Sequence, residues 1–228
     1  MNNFWIKFNK TRVEKLSKKL VFYNRENNIN AIENNNYNHI RDIYFTLIAT
    51  ESFKKKINVL DYGSNIITIS NIKNKINCKR VKFDIYDPNY EKKIYDHMHI
   101  NYANFIVTNN FKEIVKNKYL ILNFGSSIQY DSNILNKLKL FNLRRTKYII
   151  ITHSPMSLSK EYSSKQKGKN KLIQHVHSLK EVINFFKVRR FEMIFKSRND
   201  DKYIACTKIK YKTYSLNLIF KNAKKINS

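Results

Sequence analysis

The chain has 228 residues, with 44 Lys plus Arg against 17 Asp plus Glu, a formal net charge of +27. Hydrophobic residues make up 42% and aromatics 14%, with 3 Gly and 2 Pro, which excludes collagen-like, low-complexity and wholly disordered chains and suits one domain. Two cysteines, Cys78 and Cys206, exclude a disulfide scaffold and a cysteine-rich zinc module, and point to a reducing cytosol.

Residues 1–37 read as a basic N-terminal extension, with Leu16, Leu20 and Phe22 on a short helix before the Asn-rich loop Asn24 to Asn36. Residues 38–228 read as one α/β domain. Asn38 caps a helix carrying Ile40, Ile43, Tyr44, Leu47 and Ile48, which ends near Lys56. The run Ile57 to Tyr62 is a first strand, broken at once by Gly63-Ser64-Asn65. Ile66, Ile69, Ile72 and Ile76 then recur at helical spacing. Arg80 to Pro88 contains a second strand, stopped by the proline. Ala103 to Thr108, Tyr119 to Phe124 and Lys147 to Thr152 are a third, fourth and fifth, with a helical stripe at Ile134, Leu135, Leu138 and Phe141 between the last two.

Strands alternating with helical patterns predict βαβ units in a mostly parallel sheet, and consecutive apolar residues predict strands covered on both faces. From His153 to Asn170 the chain is polar and reads as a long loop, the expected lid over an acceptor. A helix over Ser178 to Lys187 and strands at Phe191 to Lys196 and Leu216 to Lys221 complete the pattern.

The charge is spread thinly. Lysine greatly outnumbers arginine, Asn and Ile are frequent, and no basic arm stands out, so A/T-rich coding bias accounts for the charge better than nucleic acid does. No stretch reaches the ~18 uncharged apolar residues of a membrane span. Met1 to Trp5 opens no apolar signal-peptide core of ~7–15 residues, and a cytoplasmic protein is expected.

Ligands of open parallel sheets bind outside the carboxyl ends of the strands. The residues there are Asp61, Gly63 and Ser64 after the first strand, and Asp87 after the second. Asn109 and Asn110 follow the third, Gly125-Ser126-Ser127 the fourth and His153 the fifth. Glycine permits close backbone approach, a helix N-terminus favours an anion, and an acid at Asp87 suits ribose hydroxyls. Each feature alone is also ordinary turn construction.

Val59-Leu60-Asp61-Tyr62-Gly63, the acidic end of the second strand, Leu122 to Tyr130 and Tyr148 to Pro155 together resemble class I S-adenosylmethionine-dependent methyltransferases. More narrowly they resemble a family from bacterial surface-polysaccharide gene clusters, with Ile128-Gln129-Tyr130 the most specific match and the likeness spanning residues 40–221. Gln166 and the segment His175 to Leu179 fit the same pattern. The resemblance implies a Rossmann-like fold with a mostly parallel seven-stranded sheet, an antiparallel last strand and helices on both faces. It implies S-adenosyl-L-methionine as cofactor and a small-molecule or glycan acceptor. By position, Asp61, Gly63 and Ser64 would line the methionine moiety, Asp87 the ribose and Asn109 the adenine, while Gly125 and Ser126 would flank the sulfonium and the acceptor. Ser64 and Ile67 stand where the family has further glycines, Leu120 where it has an acid, and His153 where it has arginine. A nucleic-acid-binding protein or RNA methyltransferase, and a catalytically degenerate methyltransferase fold used for interaction, are the alternatives.

Methyl transfer needs an aligned nucleophile, and a hydroxyl or amine acceptor gains from a base poised near neutral pH. His153 is the candidate base, and Tyr130 the candidate for positioning the acceptor. The pairs His97/His99 and His175/His177 have the spacing of two ligands on one strand face. No third ligand follows at zinc-like spacing, so no metal is expected.

Overall fold

The computed structural model describes residues 39–63, 78–88, 105–167, 172–199, 204 and 206–223. The expected N-terminal extension, the Ile66 to Ile76 helix, Ser64, His97 and His99 lie outside them. In chain order come α1 (His39–Lys54), β1 (Ile57–Tyr62), β2 (Val81–Tyr86), β3 (Phe105–Thr108), α2 (Phe111–Lys116) and β4 (Ile121–Gly125). A 3-10 turn, Ile128–Tyr130, follows, then α3 (Ile134–Leu138), another 3-10 turn (Leu143–Arg145), β5 (Tyr148–Ser157), β6 (Tyr162–Lys165), β7 (Ile173–Ser178), α4 (Leu179–Lys187), β8 (Phe191–Arg198) and β9 (Thr213–Asn222).

Among the described residues the strands form one nine-stranded sheet. β3, β2, β1, β4 and β5 lie side by side in that order, all parallel. β9 pairs antiparallel along the other edge of β5 and carries β8 antiparallel beyond it. These seven strands are the expected mostly parallel sheet with its antiparallel final strand.

Successive residues of a strand point to opposite faces. Val59, Phe83, Ile121 and Ile150 therefore meet Tyr44, Phe45 and Ile48 of α1, whereas Leu60, Leu122, Ile149 and Ile151 meet Ile134 and Leu138 of α3 and Val182 and Phe186 of α4. Both faces are covered, which is why these strands are apolar without alternation. Phe186 seals the second face, fully buried with its ring centroid 4.4 Å from that of Phe220.

Two elements differ from the sequence reading. The stretch expected as an open lid is mostly strand: β5 runs on to Ser157, and β6 and β7 form an antiparallel hairpin, with Ser163 opposite His175 and Tyr162 opposite Val176. The hairpin buries only the small cluster Tyr162, Val176, Ile204 and Cys206, so its strands alternate with Ser, Lys and Gln and read as loop. β4 stops at Gly125, and β7 takes over that edge of β5 through Met156–His177 and Ser157–Ser178. The hairpin thus stands beyond the carboxyl end of β4.

The second difference is α2, too short to show a helical period. Its start is fixed by Asn110, whose side chain accepts from the Lys112 N–H at 3.1 Å and donates to Glu113 at 3.0 Å. Losing such a cap costs about 1 kcal/mol. Asn110→Ala is expected to lower the melting temperature by roughly 2–4 °C, as read by thermal denaturation.

Candidate cofactor and acceptor site

The carboxyl edge of β1 is built around a buried acid. Asp61 is 2% exposed and accepts hydrogen bonds from the Tyr44 hydroxyl at 3.3 Å and the Asn123 amide at 3.2 Å. Asn123 faces it because the β1–β4 register pairs these two residues. Burial, reinforced by the Asp61 carboxylate, pushes the Tyr44 phenol well above its ordinary pKa, so it stays a neutral donor.

Gly63 closes the strand in the left-handed region, with φ of 70°, while its N–H donates to the Tyr86 carbonyl at 2.7 Å. A Cβ added to it would lie 2.4 Å from Ser127 Cβ and 3.2 Å from Ser127 Oγ, so glycine is required by both conformation and space. The turn after β1 is thereby pressed against the turn after β4. Ser127 is 7% exposed, and its hydroxyl has no hydrogen-bond partner among the described residues.

One strand over, Asp87 follows β2 directly. It is 6% exposed, and its N–H donates to the Thr108 carbonyl at 3.1 Å. Tyr62 pairs with Tyr86 across β1 and β2, so Gly63 and Asp87 leave the sheet side by side. Asn109, after β3, is exposed. Asp84, the acid within β2, is occupied inside the fold by the Tyr119 hydroxyl at 2.7 Å and the Asn117 amide at 2.8 Å.

On the other side of β1, Gly125 ends β4, and Ser126 has φ of 51° with its N–H donating to the Thr152 carbonyl at 2.9 Å. A Cβ on Gly125 would make only ordinary contacts of 3.5 Å, so Gly125 is far less constrained than Gly63. Gln129 is buried and accepts from the Ser154 hydroxyl at 3.4 Å. Tyr130 is 40% exposed, and its hydroxyl accepts from the Gln174 amide of β7 at 3.4 Å. His153 follows Thr152, the partner of Gly125, at the register break between β5 and β9. Its φ is 49°, and its N–H donates to the Asn217 side chain at 2.9 Å.

Asp61, Gly63, Asp87, Gly125, Ser126 and His153 therefore stand along one edge of four adjacent strands. Sequence reasoning missed Asn123 as the partner of Asp61, and Ser127 as the side chain packed on Gly63. The cross-strand register that makes those contacts is invisible in either segment alone. For a cofactor with an amino-acid end and a ribose, the residues fit. There is a buried acid beside a glycine turn, an orphaned buried hydroxyl against that turn, and a second acid at the neighbouring strand end.

No known family model matches the sequence, and no curated protein matches it. Solved structures do match in fold. A 1,6-didemethyltoxoflavin-N1-methyltransferase from Burkholderia thailandensis, with bound 1,6-didemethyltoxoflavin and S-adenosylhomocysteine, superposes with a TM-score of 0.53 at 8% identity, over 96% of this chain and 90% of its own. An S-adenosylmethionine-dependent methyltransferase from Clostridium acetobutylicum gives 0.51 at 8% identity, over 94% and 99%. The 16S rRNA methylase ArmA gives 0.50 at 15% identity, over 92% and 97%. With five parallel strands and the antiparallel β9 beside β5, the chain has the fold of the class I S-adenosylmethionine-dependent methyltransferases.

Proposed function

We propose that this protein transfers the methyl group of S-adenosylmethionine to a sugar, a glycan precursor or another small-molecule acceptor. The observation that carries this reading is the Gly63–Ser127 contact, which leaves a buried hydroxyl without a partner between two strand ends, beside the buried carboxylate of Asp61. Asp61, Gly63 and Ser64 would hold the methionine end of the cofactor, Asp87 its ribose and Asn109 its adenine. The bound cofactor supplies an activated methyl with a good leaving group.

The chain's own part is alignment and proton handling. Gly125 and Ser126 flank the acceptor, and Tyr130, tied to Gln174, gives it a hydroxyl to rest against. His153 takes the acceptor proton as the methyl is transferred. Transfer of a radiolabelled methyl group to a panel of nucleotide sugars and to RNA tests the reading. Transfer to a sugar is expected, and His153→Ala should lower its rate by about 100-fold with cofactor binding retained. No transfer to any acceptor, or an unchanged rate in the variant, would count against it.

A second reading, an RNA acceptor, is favoured by one feature. A cavity of about 420 Å³ between α3 and the end of α4 is lined by Lys139, Arg144, Arg189 and Arg190, with no acidic side chain among the described residues on its walls. Arg189 is held by donation to the Phe185 carbonyl at 2.8 Å, its guanidinium 3.7 Å from that ring's centroid. Methyl transfer to RNA, with affinity falling steeply as salt rises, would favour this reading over the first.

A further inference from the structure

We infer that the β6–β7 hairpin carries a binding site for a zinc-class divalent cation, made by Glu161, His175 and His177. The hairpin register places Ser163 opposite His175. Carried two residue pairs further, past Tyr162–Val176, it sets Glu161 opposite His177, so the four residues share one face of the ribbon. One potential ligand atom from each of Glu161, His175 and His177 lies within 4.8 Å of the other two. The two imidazole centroids are 4.5 Å apart.

The hydrogen bonds set the rings for this task. His177 is 1% exposed, and its Nε2 lies 3.1 Å from the Ile128 carbonyl oxygen. A carbonyl only accepts, so the proton sits on Nε2 and the lone pair on Nδ1. His175 has its Nδ1 3.2 Å from the Ser163 hydroxyl and its Nε2 3.2 Å from Glu161 Oε2. In each ring one nitrogen is held by a neutral oxygen, as in metal-binding histidines whose second nitrogen is fixed by a carbonyl or hydroxyl, and at His175 the other nitrogen meets Glu161, where a cation would come between the two.

Two histidines and one glutamate are a common zinc set, and they leave the fourth tetrahedral position for water or another small ligand. Closure to metal distances of ~2.0–2.2 Å requires the three groups to draw together by about 1 Å, within the freedom of a side chain such as Glu161, which is 50% exposed. An ion pair between His175 and Glu161 alone is worth little at such exposure, and gives no role to the lone pair of His177. A cation there pins the hairpin to the Ile128–Tyr130 turn, through His177 and the Ile128 carbonyl. The inference stands apart from the cofactor reading, because none of the three ligands belongs to the cofactor turns.

The test is titration of the chelator-treated full chain with Co²⁺, followed by displacement with Zn²⁺. About one equivalent should bind with the visible absorption of a tetrahedral cobalt site. Glu161→Gln, at an exposed position, and His175→Ala should each weaken binding by about 10–100-fold. The double variant His97→Ala/His99→Ala should bind as the wild type does. Absence of binding at millimolar metal, unchanged binding in both hairpin variants, or loss in the His97/His99 variant would each overturn the inference.

Discussion

Gly63→Ala is expected to destabilise the protein by roughly 2–5 kcal/mol, where Gly125→Ala costs under about 1 kcal/mol. Two independent causes add at Gly63. A side chain at φ of 70° costs about 1–2 kcal/mol for the left-handed backbone alone. The new Cβ also falls 2.4 Å from Ser127 Cβ, a distance no pair of carbons tolerates, and relief by backbone movement costs a further ~1–3 kcal/mol. Movement is restricted on both sides, because the Gly63 N–H is held by Tyr86 and Ser127 opens the turn after β4. At Gly125 the same addition meets only the Asn123 amide and the Thr152 hydroxyl at 3.5 Å. Urea unfolding of the two variants measures the contrast. Equal stabilities would mean that the two turns are not in contact.

Asp87→Ala is expected to weaken binding of S-adenosylhomocysteine by about 100-fold or more. A carboxylate accepting from both ribose hydroxyls makes two charge-assisted hydrogen bonds, each contributing roughly 1.5–3 kcal/mol. Losing both is enough for two decades of affinity, since each decade is about 1.4 kcal/mol. Asp87→Asn keeps one acceptor oxygen and the volume of the side chain, so it should fall between the two, at roughly ten-fold. Calorimetric titration of the three proteins gives the series. Identical affinities would remove Asp87 from the site, and with it the argument from the adjacent ends of β1 and β2.

Much of the fold was legible because both faces of the sheet are covered. Val59-Leu60, Leu122 and Ile149-Ile150-Ile151 are apolar on successive residues, since each neighbour enters a different core cluster. The hairpin was not legible, for the opposite reason. With one small cluster to bury, β6 hides Tyr162 and Ser164 and exposes Ser163 and Lys165, a pattern that Ser and Lys make look like solvent-facing loop.

The site divides in the same way. Gly63 and Asp87 became candidates because strand ends are legible, and the acid and glycine there stand out in a glycine-poor chain. Asn123 and Ser127 acquire their roles only through the pairing of β1 with β4 and the contact between their turns. Glu161 joins His175 and His177 across a hairpin, 14 residues away in sequence from His175. No spacing rule for a single strand or helix would have connected them.

The basic charge has also gained a location. Most of it is dispersed, but Lys139, Arg144, Arg189 and Arg190 line one cavity on the amino side of β5, marked by the Asn222 N–H donating to the Lys147 carbonyl. That is the edge opposite the glycine turn. A large acceptor gripped there would have to wrap around the domain to reach His153, which a small acceptor need not do.

Titration of the wild-type chain with S-adenosylhomocysteine tests most directly whether the turns after β1, β2 and β4 form a cofactor site. One-site binding in the micromolar range is predicted, with a rise in melting temperature that grows with ligand concentration. A folded protein that gives no heat and no thermal shift at millimolar ligand would contradict it.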